Sequence, residues 1–277
     1  VAAGPSSTAP VEAVQQALIF YIESTRDFGS HMTETHRTYR ESDNTMVGEH
    51  RGSFVYARKG VKEYVSSYVQ GARHADEAAF NGTKYVTRMT LRGTDEEKAN
   101  IIIAADKDSK PFTAFLGSSR GFGRWIFQTP IEKLFGDART LKLRAATPVV
   151  NGWRCRVLEL DNKSGAMSYV LYLGEDIGFA PVKYEVFAPK HGSDARVVGE
   201  AVRMAEVVKG HWLPLEAKTT FRHPFCEKGH YEVSTVAADA TALRMGDAVS
   251  DAIFEITPAA NSRVYDLTTG ETYRVFS

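Results

Sequence analysis

Gly52-Ser53-Phe54-Val55-Tyr56-Ala57-Arg58-Lys59-Gly60-Val61-Lys62-Glu63-Tyr64-Val65-Ser66-Ser67-Tyr68-Val69 consists of two runs rich in aromatic and β-branched residues, hinged on Arg58-Lys59-Gly60. That composition suits a pleated, half-buried surface, and the glycine supplies the turn, so the stretch predicts a β-hairpin. The same grammar repeats downstream, in Ser168-Tyr169-Val170-Leu171-Tyr172-Leu173 and Lys183-Tyr184-Glu185-Val186-Phe187. Turn signals separate such runs at Asn81-Gly82, Asn162 to Gly165, His191 to Asp194, Lys209-Gly210 and Thr268 to Gly270. Upstream the period changes. Val11, Val14, Ala17, Leu18, Tyr21 and Ile22 recur at helical spacing after Pro10, which predicts a helix over Val11 to Asp27, ended by Gly29. One helix followed by hairpin upon hairpin predicts a mainly β (α+β) fold, a strongly curved antiparallel sheet or half-barrel. The N-terminal helix and shorter helices would cover its concave side.

Composition narrows the function. The chain has 277 residues, 43% hydrophobic and 25% charged, as in an ordinary globular protein with a substantial core. Lys plus Arg and Asp plus Glu each number 34, so the formal charge is +0 and nothing favours nucleic acid or an anionic membrane. The most apolar stretch, Val14 to Ile22, contains Gln15 and Gln16 and is too short for a transmembrane segment. The opening Val-Ala-Ala-Gly-Pro-Ser-Ser-Thr-Ala-Pro reads as the disordered leader of an exported chain whose signal has been removed, or as a truncated chain. Two cysteines, Cys155 and Cys226, fit either a disulfide of the cell exterior or two buried thiols.

The middle departs from the hairpin pattern. Gly117-Ser118-Ser119-Arg120-Gly121-Phe122-Gly123 is glycine-rich and reads as a lid loop over the sheet, with Gly117, Gly121 and Gly123 as its flexible points. Short helical patterns follow at Pro130 to Asp137 and at Asp247 to Phe254. No linker divides the chain, so residues 11–277 read as a single domain.

This order of elements resembles the outer-membrane lipoprotein carrier (LolA-like) family, which also includes the ligand-binding domain of a periplasmic sigma-factor regulator. The resembling parts are the opening helix, the polar first strand from Thr33, the two strands around Lys59-Gly60, and Asn81-Gly82 followed by Lys84-Tyr85-Val86. Lys209-Gly210-His211-Trp212-Leu213-Pro214-Leu215 is similar to a strand entry of large bacterial members, and Val264 to Val275 to their closing hairpin. The resemblance implies a half-barrel plugged by helices, with a cavity that accepts acyl chains.

Candidate chemistry is sparse. Gly117-Ser118-Ser119-Arg120-Gly121 satisfies the nucleophile-elbow spacing, which would make Ser119 a hydrolase nucleophile, but no alternating βα series accompanies it. His223, Cys226 and His230 are the nearest approach to a metal cluster, and they fall on a hairpin loop. Strand alternation sets Phe54 with Tyr56, Tyr64 with Tyr68, and Tyr169 with Leu171, each pair on one face. These six are the expected ligand-binding residues, lining an apolar cavity with tyrosine hydroxyls as orienting contacts. The reading is a non-enzymatic, exported, periplasmic or envelope carrier or sensor of a lipid or lipoprotein acyl chain, needing no cofactor. Its alternatives are the Ser119 hydrolase and a cell-envelope module that recruits a protein partner along an exposed edge at Thr33 to Arg40.

Overall fold

A computed structural model describes residues 11–71, 74–91, 99–104, 125–126 and 129–276. The first half of the chain contains α1 (Val11–Ser24), β1 (Phe28–Arg40), β2 (Met46–Lys59), β3 (Lys62–Val69), β4 (His74–Phe80), β5 (Tyr85–Leu91) and β6 (Ala99–Ala104). A small hairpin, β7 (Trp125–Ile126) and β8 (Thr129–Pro130), precedes α2 (Ile131–Gly136). Then come β9 (Ala138–Leu143), β10 (Val149–Val150), β11 (Trp153–Asn162), β12 (Ser168–Gly174), β13 (Ala180–Phe187), β14 (Ala195–Val208) and β15 (His211–Arg222). The chain closes with β16 (His230–Ala238), β17 (Arg244–Met245), β18 (Arg263–Asp266) and β19 (Glu271–Arg274). The fold is mainly β and antiparallel with one long N-terminal helix, as expected from the sequence.

These elements fall into two compact units. The first draws on residues 11–25, 36–49, 125–126 and 129–237, the second on 26–35, 50–71, 74–91, 99–104 and 238–276. β1 and β2 are long enough to contribute to both.

In the first unit β11 to β16 form a meander, each strand pairing with the next, and β9 flanks β11 on its other side. Register aligns Leu158, Leu171, Tyr184, Gly199, Thr219 and Ser234 in one row across six strands. All four of its side chains larger than serine or glycine that belong to hydrophobic or threonine residues are buried, which makes that face the core. The register shifts repeatedly between β14 and β15, and such bulges bend and twist the strands. Helix α1 packs on β9 and buries Val14, Leu18, Tyr21 and Ile22, the stripe its spacing predicts.

The second unit has the strand order β17–β1–β2–β3–β4–β5–β6–β18–β19. All neighbours are antiparallel except β6 and β18, which run parallel, a pairing that hairpin logic does not anticipate. Gly60, Gly82 and Gly270 sit in the left-handed region at the turns.

Two boundary expectations change. The helix ends at Ser24, where Ser24 and Thr25 turn their hydroxyls back onto the Phe20 and Tyr21 carbonyls, both at 2.8 Å. Gly29 does not cap it but lies in β1, where a Cβ would already touch that of Ala57 at 3.4 Å. Nor is Thr33 to Arg40 an exposed edge. β1 is paired with β2 on one side and with β16 and β17 on the other. Its polar residues satisfy one another across strands instead: Arg37 with Glu49 at 2.7 Å, His36 with Glu232 at 3.1 Å, and Tyr39 stacked on Tyr231. The predicted helix at Asp247 to Phe254 is two 3-10 turns, Gly246–Ala248 and Asp251–Phe254.

Candidate functional site

The hairpin registers decide where the aromatic pairs point. Across β2 and β3, Ser53 faces Tyr68, Val55 faces Ser66 and Ala57 faces Tyr64, while Phe54 faces Ser67 and Tyr56 faces Val65. Directly opposed residues share a face, so Tyr64 and Tyr68 lie on one side of the sheet and Phe54 and Tyr56 on the other. Continuing outward, Ser66 opposes Glu77, Glu77 opposes Arg88 and Arg88 opposes Ile101. A polar row thus crosses the face that carries Tyr64 and Tyr68. Beside it, Ala57 packs with Val249 and Phe254, against which Tyr64 and Ile253 also rest. The segment after β17 therefore covers this face.

Ionic contacts pin that segment. Asp251 accepts hydrogen bonds from Lys62 Nζ at 2.7 Å and Lys59 Nζ at 3.0 Å, and Asn81 Nδ2 reaches Glu255 at 3.2 Å. The bond from Lys62, followed by that from Lys59, holds the Asp251 carboxyl below the usual aspartate range. A lowered folded pKa means that this stabilisation is present above the ordinary value, roughly pH 4, and fades as pH falls through the folded value. Asp251→Asn is accordingly expected to lower the melting temperature at neutral pH, with the gap to wild type closing on acidification below about pH 4. Melts recorded between neutral and acid pH check this, and a gap that does not change with pH would mean the contact is not electrostatic.

A cavity of about 460 Å³ opens on the same face, lined by Ser53, Val55, Ser66, Tyr68, Glu77, Arg88 and Thr90 from the strands, with His31 from β1 and with Ala259 and Ser262 from the covering segment. Phe54, Ser67 and Asp76 also border it. The volume lies in the range of small-ligand sites, roughly 300–1,000 Å³. Its polar centre is preorganised. Glu77 accepts from Tyr64 Oη at 3.0 Å and from Arg88 Nε at 2.5 Å, and Arg88 Nη1 donates to the Thr257 carbonyl at 3.4 Å. Burial pushes the Tyr64 phenol up to about 12, with Glu77 adding to the rise, so Tyr64 stays a neutral donor.

The six expected ligand residues are thus dispersed. Tyr68 and Phe54 border the cavity; Tyr64 reaches it only through Glu77. Tyr56 is 1% exposed and gives its hydroxyl to Glu63 at 2.9 Å. Tyr169 and Leu171 belong to the first unit. Leu171 is core, whereas Tyr169 borders a second cavity of about 350 Å³ with Leu134, Leu160 and Asp161. Asp161 is held low by Ser168 and Thr140, each bonded at 2.6 Å. Gly117, Gly121, Gly123 and Ser119 lie outside the described residues.

His223, Cys226 and His230 do not converge. The His223 ring lies against His191 with centroids 5.5 Å apart, and the Cys226 thiol donates to the His230 carbonyl at 3.1 Å. Burial pushes that thiol up to about 11, away from the thiolate a metal would need. Among the described residues no three His, Cys, Asp or Glu side chains are grouped to hold a metal. Both cysteines are free thiols.

No protein-family model matches the chain, and no curated protein matches it. Solved structures do. A DUF1329 family protein from Desulfovibrio piger superposes with a TM-score of 0.53 at 15% identity, covering 90% of this chain and 98% of that one. A putative outer membrane lipoprotein-sorting protein domain from Vibrio parahaemolyticus gives 0.51 at 14%, covering 88% and 97%. A LolA superfamily protein from Nitrosomonas europaea gives 0.48 at 14%, covering 88% and 97%. The chain is similar in fold to the first two over almost its whole length, so the LolA-like resemblance holds at the level of fold.

Proposed function

We propose that this chain is a non-enzymatic carrier or sensor of the periplasm or cell envelope that holds an amphiphile, such as a lipid or a lipoprotein acyl chain. The observation that supports it most is the cavity of about 460 Å³ on a sheet face roofed by a separate, ionically pinned segment. The fold shared with a lipoprotein-sorting domain points the same way. Neither the Glu77–Arg88 pair nor the Tyr64 phenol is poised as a nucleophile or a base, because each is engaged by its neighbour. Binding would draw on apolar burial at about 0.8 kcal/mol per methylene, partly offset by ordering the chain.

A fluorescent monoacylglycerol, an amphiphile with an uncharged head, titrated into the purified protein is expected to bind saturably. Tyr68→Asp, which places a charge at the cavity wall, should weaken that binding by at least about tenfold, whereas Tyr172→Ala in the other unit should leave it unchanged. Full binding by a folded Tyr68→Asp variant would put the ligand elsewhere.

A further inference from the structure

A carrier of amphiphiles must place both a tail and a head, and the second unit's cavity is built for only one of them. Register puts Ser53, Ser66, Tyr68, Glu77, Arg88 and Thr90 on one face, and all six line the cavity with hydrogen-bonding groups. Val55 is the one apolar side chain interleaved among them there. An acyl tail in this space would strip water from six polar side chains and return no hydrogen bond to any.

The charges exclude a second class. Arg88 spends its guanidinium on Glu77 and on the Thr257 carbonyl, so it offers little to a phosphate or carboxylate. Glu77 already neutralises the arginine of the polar row, and Asp76, which opposes Ser67 and Met89, belongs to the other face. An anionic head would find no uncompensated guanidinium.

A sugar hydroxyl both donates and accepts, and so matches serine, threonine and carboxylate groups set side by side. The Tyr68 ring adds a flat apolar wall for one face of a pyranose. We propose that this cavity binds a neutral polyhydroxyl group of hexose type, either the head of a glycolipid or a free sugar; the assignment rests on the carrier reading above and specifies its ligand.

Calorimetric titration with n-octyl glucoside, octanoate and glucose, all below micelle-forming concentrations, tests it. The glucoside is expected to bind at least about tenfold tighter than octanoate, which shares its chain length but carries an anionic head. Ser66→Val and Thr90→Val, both compatible with a strand, should each weaken glucoside binding by about threefold to tenfold and leave octanoate unchanged. Glucose binding comparably to the glucoside would assign a free sugar, and glucoside binding alone a glycolipid. Octanoate binding as tightly as the glucoside, no glucoside binding, or unaltered glucoside affinity in both variants with wild-type melting curves would overturn the assignment. The carrier reading falls with it only if the fluorescent monoacylglycerol also fails to bind.

Discussion

Glu175→Ala is expected to destabilise the protein by about 3–5 kcal/mol, because it takes the paired carboxylate away from a buried arginine. Arg156 lies in β11 with its side chain 2% exposed, and Glu175, 5% exposed, starts the 3-10 turn that follows β12. Arg156 Nε and Glu175 Oε1 are 2.5 Å apart, and the second carboxylate oxygen takes the guanidinium of Arg154 from the solvent side. This carboxylate offsets the cost of removing the guanidinium from water, and its deletion takes that charge compensation away. Urea unfolding should show a lower midpoint with an unchanged slope. The double replacement Arg156→Met with Glu175→Leu should recover most of the loss, since an apolar pair of similar volume avoids the desolvation altogether. A single-variant loss below about 1 kcal/mol would instead place the pair among weak surface contacts.

That pair was invisible in the sequence for a definable reason. Trp153-Arg154-Cys155-Arg156-Val157 alternates as a strand with a buried Trp/Cys/Val face, and alternation then assigns both arginines to solvent. β11 in fact buries both faces between Cys155 and Leu158, and the turn at Glu175, reached through the β11–β12 register, supplies a counter-charge. Non-local partners of this kind leave no local trace.

Other parts of the site were within reach. A turn at Gly60 that pairs Lys59 with Lys62 also pairs Ala57 with Tyr64, Val55 with Ser66 and Ser53 with Tyr68, which already separates Tyr64 and Tyr68 from Phe54 and Tyr56. The Asn81-Gly82 turn likewise sets Phe80 against Tyr85 and hence Glu77 against Arg88. Both turns were legible from their glycines, and carrying their registers outward finds the polar row. Grouping aromatics strand by strand does not, because it never asks which strands share a face. The roof could not be found that way. Residues 246–262 form short turns rather than a long periodic helix, and the parallel β6–β18 pairing joins segments more than 150 residues apart in sequence. The polar pattern at Thr33 to Arg40 misled in the opposite direction, since cross-strand hydrogen bonds satisfy it within the sheet.

The second large effect is expected at Gly199, near the middle of the first unit's meander. Gly199 on β14 directly opposes Tyr184 on β13, and the fully buried Tyr184 ring lies over the glycine, so that a methyl group there would overlap it. In a strand that did not need this space, glycine would be a defect: alanine limits the unfolded chain and should gain about 0.5–1 kcal/mol. Here Gly199→Ala is expected to cost about 1–3 kcal/mol, the usual penalty of overpacking a close-packed core. Tyr184→Ala should cost about 3–5 kcal/mol by opening a cavity. The two losses should not add, because the alanine at 199 has room once the ring is gone. In the Tyr184→Ala background Gly199→Ala should therefore turn neutral or stabilising, and a double-mutant cycle in urea should return a coupling of about 1–3 kcal/mol. An equal cost in both backgrounds would show that the glycine serves its own backbone rather than the tyrosine.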